Sequence, residues 1–360
     1  MFQYSSNRKA FQHLLNGKKT DLFLLENGKG CQAAITNYGA RLVSLEVPDK
    51  KGHLTDVILG YNSLQEYLQS TELYYGAIIG RVANRIGKGY FILDGATYQL
   101  EQNNFPNHLH GGSKGFHNQV WEVRSIKSNT LVLGYTSVDG EEGYPGNVQV
   151  EVTYFLAEDN ALHISYKANT DKVTLFNITN HAYFNLSGDG SGTVLDHEVW
   201  IDADKITALD EHSTPTGTFV DVENTPFDFR APKTLGRDID VNHQILKWGN
   251  GYDQNFVLNK KPQDFKVIAR ASGFKSGICL EVETTEPGMQ LYTANYLSGK
   301  DYGKNGAYQA RHAFCFETQH FPDAPNHSHF PSIKLLPNKP FSSRTVYRFI
   351  TLPIGQDDIF

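Results

Sequence analysis

Two histidine-bearing stretches and one buried-looking carboxylate hold most of the reactive side chains in this chain. Thr179-Asn180-His181-Ala182-Tyr183-Phe184-Asn185-Leu186 sets a histidine among amides and aromatics, after an apolar run of Val173, Leu175 and Ile178. Such a histidine has two readings: a core imidazole satisfied by neighbouring amides, or a group titrating near neutral pH in an aromatic-walled pocket. Asn107-His108-Leu109-His110-Gly111-Gly112 is the second stretch. On a strand, His108 and His110 share a face, a common way to offer two ligands to a metal. No carboxylate follows closely, the next being Glu122, so no metal is expected. The Gly111-Gly112 pair instead points to backbone lying against a ligand.

Glu317 stands in Ala313-Phe314-Cys315-Phe316-Glu317-Thr318-Gln319-His320. It reads either as a strand-end carboxylate facing water or as a buried one with a partner or a purpose. The spacing Glu317-x-x-His320 suits a metal on a helix, but this run has strand composition. Asp253, in Gly251-Tyr252-Asp253-Gln254-Asn255-Phe256, is a turn carboxylate or a polar group leading into a strand. Residues 80–89, with three glycines, two arginines and a lysine, resemble a phosphate loop only superficially. They lack the Gly-Lys-Ser/Thr ending and the strand–loop–helix frame, so no nucleotide is expected.

The elements that must carry these residues are short strands. Val148, Val150, Val152, Tyr154 and Leu156 alternate with polar residues, and Leu162, Ile164 and Tyr166 repeat the pattern after a Glu158-Asp159-Asn160 turn. Asn27-Gly28 and Asp94-Gly95 each lie between apolar runs and predict hairpins. A further strand covers 42–47, and others are expected at 197–202, 254–258, 265–271, 277–285, 290–294, 312–318 and 344–350. Helices are few and short, at 63–69 and 233–237. No linker or repeat divides the chain. A single all-β domain over 1–360, an antiparallel sandwich, is the expectation.

Composition agrees. Aromatics reach 12% and methionine is nearly absent, a balance that favours half-buried pleated surfaces. The net charge of −6 has no basic stripe, which argues against nucleic acid. Residues 1–8 lack a secretory pattern, and no apolar run is long enough for a membrane helix. Cys31, Cys279 and Cys315 are odd in number, lack metal spacing and sit in apolar runs, so free buried thiols and a cytoplasmic home are expected.

Taken together, GRVANRIGKG (80–89), NHLHGG (107–112), TNHAYFNL (179–186), GYDQNF (251–256) and FETQHFP (316–322) resemble the aldose 1-epimerases, the galactose mutarotase family, in content and order. The resemblance spans nearly the whole chain. It implies a large antiparallel β-sandwich of the galactose mutarotase type, an open sugar cleft and no cofactor. It also implies that Glu317 is the catalytic base, that His181 is the acid and that His110 assists at the ring oxygen. Asn84, Arg85, Asp253 and Gln290 would contact sugar hydroxyls, with Tyr183 bordering the sugar. The implied reaction is anomer interconversion of a free aldohexose, galactose or glucose, by a monomer or homodimer with no membrane or nucleic-acid partner. A hexose-6-phosphate epimerase and a non-catalytic carbohydrate-binding protein are the alternatives. One departure stands out: this chain has Thr285-Glu286-Pro287 where several relatives resemble Thr-Gln-Pro.

Overall fold

In the strand Val148–Leu156 every second side chain is buried and the intervening ones are not, the signature of a sheet with one face in a core. The computed structural model describes residues 7–351, so residues 1–6, which bear on the secretory question, lie outside the described residues. The same alternation recurs through the molecule. Strands β1 (Leu22–Glu26), β2 (Gln32–Thr36), β3 (Arg41–Pro48) and β4 (Leu54–Asp56) form a four-stranded sheet in that order. They are followed by β5 (Glu122–Ile126), β6 (Thr130–Ser137), β7 (Val148–Leu156) and β8 (Ala161–Thr170). Next come β9 (Glu198–Ile201), β10 (Lys205–Leu209), β11 (Pro215–Asp221) and β12 (Lys233–Thr234). The remaining long strands are β13 (Asp253–Val257), β14 (Lys266–Gly273), β15 (Ile278–Thr284), β16 (Gly288–Tyr292), β17 (Cys315–Gln319) and β18 (Phe341–Thr351).

A nine-stranded sheet runs β5-β6-β7-β8-β18-β15-β14-β9-β12, and a five-stranded sheet runs β11-β10-β13-β16-β17. Their ladders are antiparallel. One apolar cluster joins Leu133 and Val152 of the large sheet, Phe256, Leu291 and Phe316 of the five-stranded sheet, and Ile35 and Leu45 of the four-stranded sheet. The architecture is therefore a β-sandwich whose layers share a core.

Helices are scarce. The expected segment 63–69 is α1 (Leu64–Gln69), closed by a reciprocal cap in which Glu66 N–H donates to Ser63 Oγ while Ser63 donates to the Glu66 carboxylate. The helix expected at 233–237 is not one. Lys233 is drawn into the ladder opposite Val199, and only a single 3-10 turn, Leu235–Arg237, follows. The second α-helix is instead α2 (Gln244–Gly249), ended by Asn250 in the left-handed region.

Candidate active site

Strand register decides which side chains leave the core. Asp253 lies opposite Tyr292 and Asn255 opposite Gln290; Gln290 lies opposite Glu317 and Tyr292 opposite Cys315. Cross-strand partners share a face and neighbours alternate. Asp253, Asn255, Gln290, Tyr292, Cys315 and Glu317 therefore project together, while Phe256, Met289, Leu291 and Phe316 fill the core behind them. Glu317 is only 2% exposed, which removes the strand-end reading.

His181 reaches this face from the segment that runs beside β17, joined to it where Phe184 and Phe314 exchange backbone hydrogen bonds. It follows the short strand Thr179–Asn180, which pairs with Ile78–Ile79. Its backbone is held on both sides, N–H to Ala77 O at 2.8 Å and O from Gly76 N–H at 2.9 Å. The flanking amides serve the backbone rather than the ring: Asn180 donates to Gly76 O, and Asn185 to Gly192 O and His312 O. The imidazole is left with Cys315 Sγ at 3.5 Å from Nδ1 and Glu317 Oε1 at 3.6 Å from Nε2. Tyr183 stacks on it at 5.0 Å and Tyr74 at 5.8 Å, both with planes 19° apart. His181 is a pocket residue.

His110 arrives by a device that strand alternation does not describe. The strand is only His108–Leu109, and His110 has φ +52°. The two histidines therefore do not share a face, contrary to expectation. His108 Nδ1 bonds Glu101 O at 2.7 Å, outside the pocket. His110 N–H donates to Asn84 O at 3.0 Å, and Asn84 N–H donates to His110 Nδ1 at 3.2 Å. A backbone N–H can only donate, so Nδ1 is bare and the neutral ring carries its proton on Nε2. Asn84 is also left-handed, φ +61°, and such conformations concentrate at functional sites. Gly111 meets backbone rather than a ligand: a Cβ there would sit 2.0 Å from Gly80 O.

The pocket is lined by Glu72, Tyr74, Asn84, Arg85, Asn104, Leu109, His110, His181, Tyr183, Asp253, Tyr292, Tyr296 and Glu317. Arg85 Nη1 lies 3.7 Å from Asp253 Oδ2, and its Nε donates to Asn104 Oδ1 at 3.2 Å. Gln290 donates to Asp253 Oδ1 at 2.6 Å and so orients that carboxylate from outside the lining. Arg81, Lys88, Lys114 and Arg311 are not in the wall, and Arg85 is the only Lys or Arg among the described lining residues. Arg81 is buried elsewhere, held by Ser137 and the carbonyls of Pro145 and Gly146. Sequence reasoning missed Glu72, Tyr74, Asn104, Tyr292 and Tyr296. Of these only Tyr292 carried a local signal, its place two residues beyond Gln290 on one face of a strand.

Burial dominates the electrostatics. It pushes Glu317 well above the usual carboxylate range, reinforced by Asp253 and Glu72 and opposed by Arg85. It pushes His181 down to about 3 and holds His110 well below the usual imidazole value, with His181 and Arg85 adding to the effect. Donor atoms of His110, His181 and Glu317 lie within 4.8 Å of one another, a spacing that could admit a metal ion. The tautomer that Asn84 imposes is the wrong one for ligation through His110 Nε2, which holds the proton. What the geometry favours is proton exchange: a carboxyl and an imidazole that can give a proton at one substrate atom and take one from its neighbour.

Comparison with known proteins gives a consistent result. The aldose 1-epimerase family model matches residues 21–348. The galactose mutarotase of Bos taurus is 45% identical over 347 residues, 96% of this chain and 98% of that protein. The aldose 1-epimerase of Escherichia coli (strain K12) is 34% identical, covering 93% of this chain and 96% of its own. A solved aldose epimerase homologue from C. elegans superposes with a TM-score of 0.85 at 33% identity, over 92% of this chain and 99% of that one.

Proposed function

The chain belongs to the aldose 1-epimerase family, and from that premise we propose how its pocket turns over a free aldohexose. The reaction is the interconversion of α and β anomers. Glu317 takes the proton of the C1 hydroxyl, His181 gives a proton to the ring oxygen, and the hemiacetal opens to an aldehyde. Rotation about C1–C2 presents the other carbonyl face, and the same two transfers reversed close the ring. Each contributes roughly 10²–10⁴ in rate. The observation that carries this reading is the buried contact of His181 Nε2 with Glu317 Oε1 at 3.6 Å on a pocket wall. His110, with its proton on Nε2, donates to the ring oxygen region. Asn84, Arg85 and Asp253 hold hydroxyls, Gln290 fixes Asp253, and Tyr183 forms a wall beside the reacting histidine.

Proton accounting gives the pair a further property. Ring opening begins with glutamate and imidazolium and ends with glutamic acid and imidazole. Burial favours that second, neutral pair. Burial thus works toward the protonation state that accompanies the open-chain sugar. A bound C1 hydroxyl donating to Glu317 favours the carboxylate, and the proton that Glu317 gives up passes to His181 Nε2, so the pair enters ring opening as glutamate and imidazolium.

The preferred substrate is a neutral hexose, galactose or glucose, over its 6-phosphate. A phosphate dianion needs clustered cations or backbone donors, and this wall offers Arg85 beside Glu72, Asp253 and Glu317. The same reading takes the chain as one domain, supported by an apolar cluster running from Leu25 to Phe349. It takes the cytoplasm as its home, supported by three free buried thiols. Polarimetric kcat/KM for galactose, glucose and glucose 6-phosphate in one buffer tests it. A higher value for the phosphate ester would move the enzyme to the phosphosugar class.

A further inference from the structure

We propose that Glu72 is a specificity-determining residue of this pocket, its carboxyl accepting a hydroxyl of the bound sugar. The inference rests on the epimerase reading above and deepens it. Glu72 comes from the loop after α1, an element that supplies none of the residues already assigned a role, yet it lines the same pocket as His181, Tyr183, Asp253 and Glu317.

Its placement is rigid. Ser70 Oγ donates to Glu72 O at 2.6 Å, and Glu72 N–H donates to Asp301 Oδ2 at 3.1 Å. Asp301 also receives Thr71 N–H at 2.8 Å and the Thr71 hydroxyl at 3.0 Å. The loop is therefore fastened on both sides of the residue, as a recognition group must be to act without ordering cost. The carboxyl itself accepts Tyr74 N–H on Oε1 at 3.0 Å, and the nearby Tyr183 favours its charged form. An ionised carboxylate has about four acceptor sites, so capacity remains toward the pocket.

Among the described residues no basic group forms a salt bridge with it. Arg41, whose charge acts on it, has its guanidinium directed to the carbonyls of Leu73, Tyr75 and His117. A half-dry carboxyl without an ion pair is costly unless donors reach it, and sugar hydroxyls are donors. Burial above all holds Glu72 at about 7, with Asp301 adding to the rise and Tyr74 N–H, Tyr183 and Arg41 opposing it. Near neutrality it can accept as a carboxylate or donate as an acid.

The test uses galactose and four analogues, each lacking the C2, C3, C4 or C6 hydroxyl, with the native enzyme and Glu72→Ala. One analogue should lose about tenfold or more in kcat/KM with the native enzyme. In Glu72→Ala that loss should shrink to within about threefold, mostly through KM. Glu72→Gln, which keeps the shape of the side chain, should reduce the same loss in part and serves if the alanine variant folds poorly. Equal discrimination in native and variant enzymes overturns the proposal. So does a uniform fall in kcat for every sugar, the mark of a residue that merely holds Tyr74 and Tyr183. A native protein inactive on galactose would sink the epimerase reading itself, and this inference with it.

Discussion

Two glutamate–histidine pairs share one short segment, which supplies Glu317 to one and His320 to the other, and they have opposite characters. His181 and Glu317 stand 3.6 Å apart, and among the described residues Glu317 Oε2 has no hydrogen-bond partner. His320 and Glu286 stand 2.6 Å apart, and the other Glu286 oxygen receives the Ser343 hydroxyl. Burial would raise Glu286, but His320 and Ser343 overcome it and hold the carboxyl below its usual range. Burial would lower His320, and Glu286 overcomes that too, raising it. This second pair is held toward the charged form on both members; the first is driven toward the neutral form on both. The residue types are identical, so identity does not decide. The donors around each carboxylate do. The Glu286 that departs from the Thr-Gln-Pro pattern thus has a structural occupation, while Glu317 is left short of donors in a way that the C1 hydroxyl of a sugar can repair.

The largest effect should come from the reactive pair. Glu317→Gln should lower kcat by roughly 10²–10⁴-fold with KM changed only a few-fold, measured by polarimetry. Turnover within threefold of native would remove Glu317 from the mechanism. The structural pair should respond in the other currency. Glu286→Ala removes the carboxylate partner of the partly buried His320 and leaves Ser343 without its acceptor, so it should cost stability on the order of 1–3 kcal/mol, read from urea unfolding, with kcat nearly unchanged. A stable variant with lost activity would mean that the two pairs had been assigned the wrong way round.

Within the pocket, His181→Asn should reduce kcat by roughly 10²-fold, at the lower end of the range for a proton-transfer group. His110→Asn should cost less, since His110 only donates from a fixed tautomer. If His110→Asn proves the more damaging, the acid is misassigned. The fourth expectation is a pair of opposite pH trends. Glu286 is lowered, so its contribution is present above about pH 4.5 and lost as pH falls through its folded value. His320 is raised, so its contribution is full below about 6.5 and lost as pH rises through its folded value. The gap in Tm between native and Glu286→Gln should therefore be widest between pH 4.5 and 6.5. Glu317 is raised, so its native carboxyl destabilises increasingly above pH 4.5. The Tm advantage of Glu317→Gln should grow from there toward neutrality. Parallel trends would erase the contrast. The smallest effect is none: EDTA should leave kcat unchanged, and a loss would reopen the metal reading.

Much of the sheet content was legible because alternation is local. Val148 to Leu156 announces its buried face residue by residue, and Asp94-Gly95 forms its turn with φ of +49° and +84°. Five motif blocks brought the pocket residues together on paper. What was not legible depends on distant partners. His110 leaves its strand because Asn84 grips both its backbone and its ring. Lys233 joins a ladder rather than a helix because Val199 is there to pair with it. Glu286 gives no local hint of His320, nor Glu72 of Tyr183, since each partner lies far along the chain and meets it only through the fold. Local spacing carries periodicity; it does not carry long-range register.

The position of β18 also has a consequence for how the molecule is made. It sits in the middle of the nine-stranded sheet, between β8 and β15, with Arg348 opposite both Ala161 and Glu281. A nascent chain emerging from the ribosome must therefore carry β8 with an unpaired edge until residues 341–351 have been synthesised. Closing such a non-local ladder is slow, and an exposed edge is a template for association with other chains. Chaperone demand during synthesis should track that waiting interval, and a substitution that weakens β18 should lower soluble yield more than it lowers the activity of the molecules that do fold.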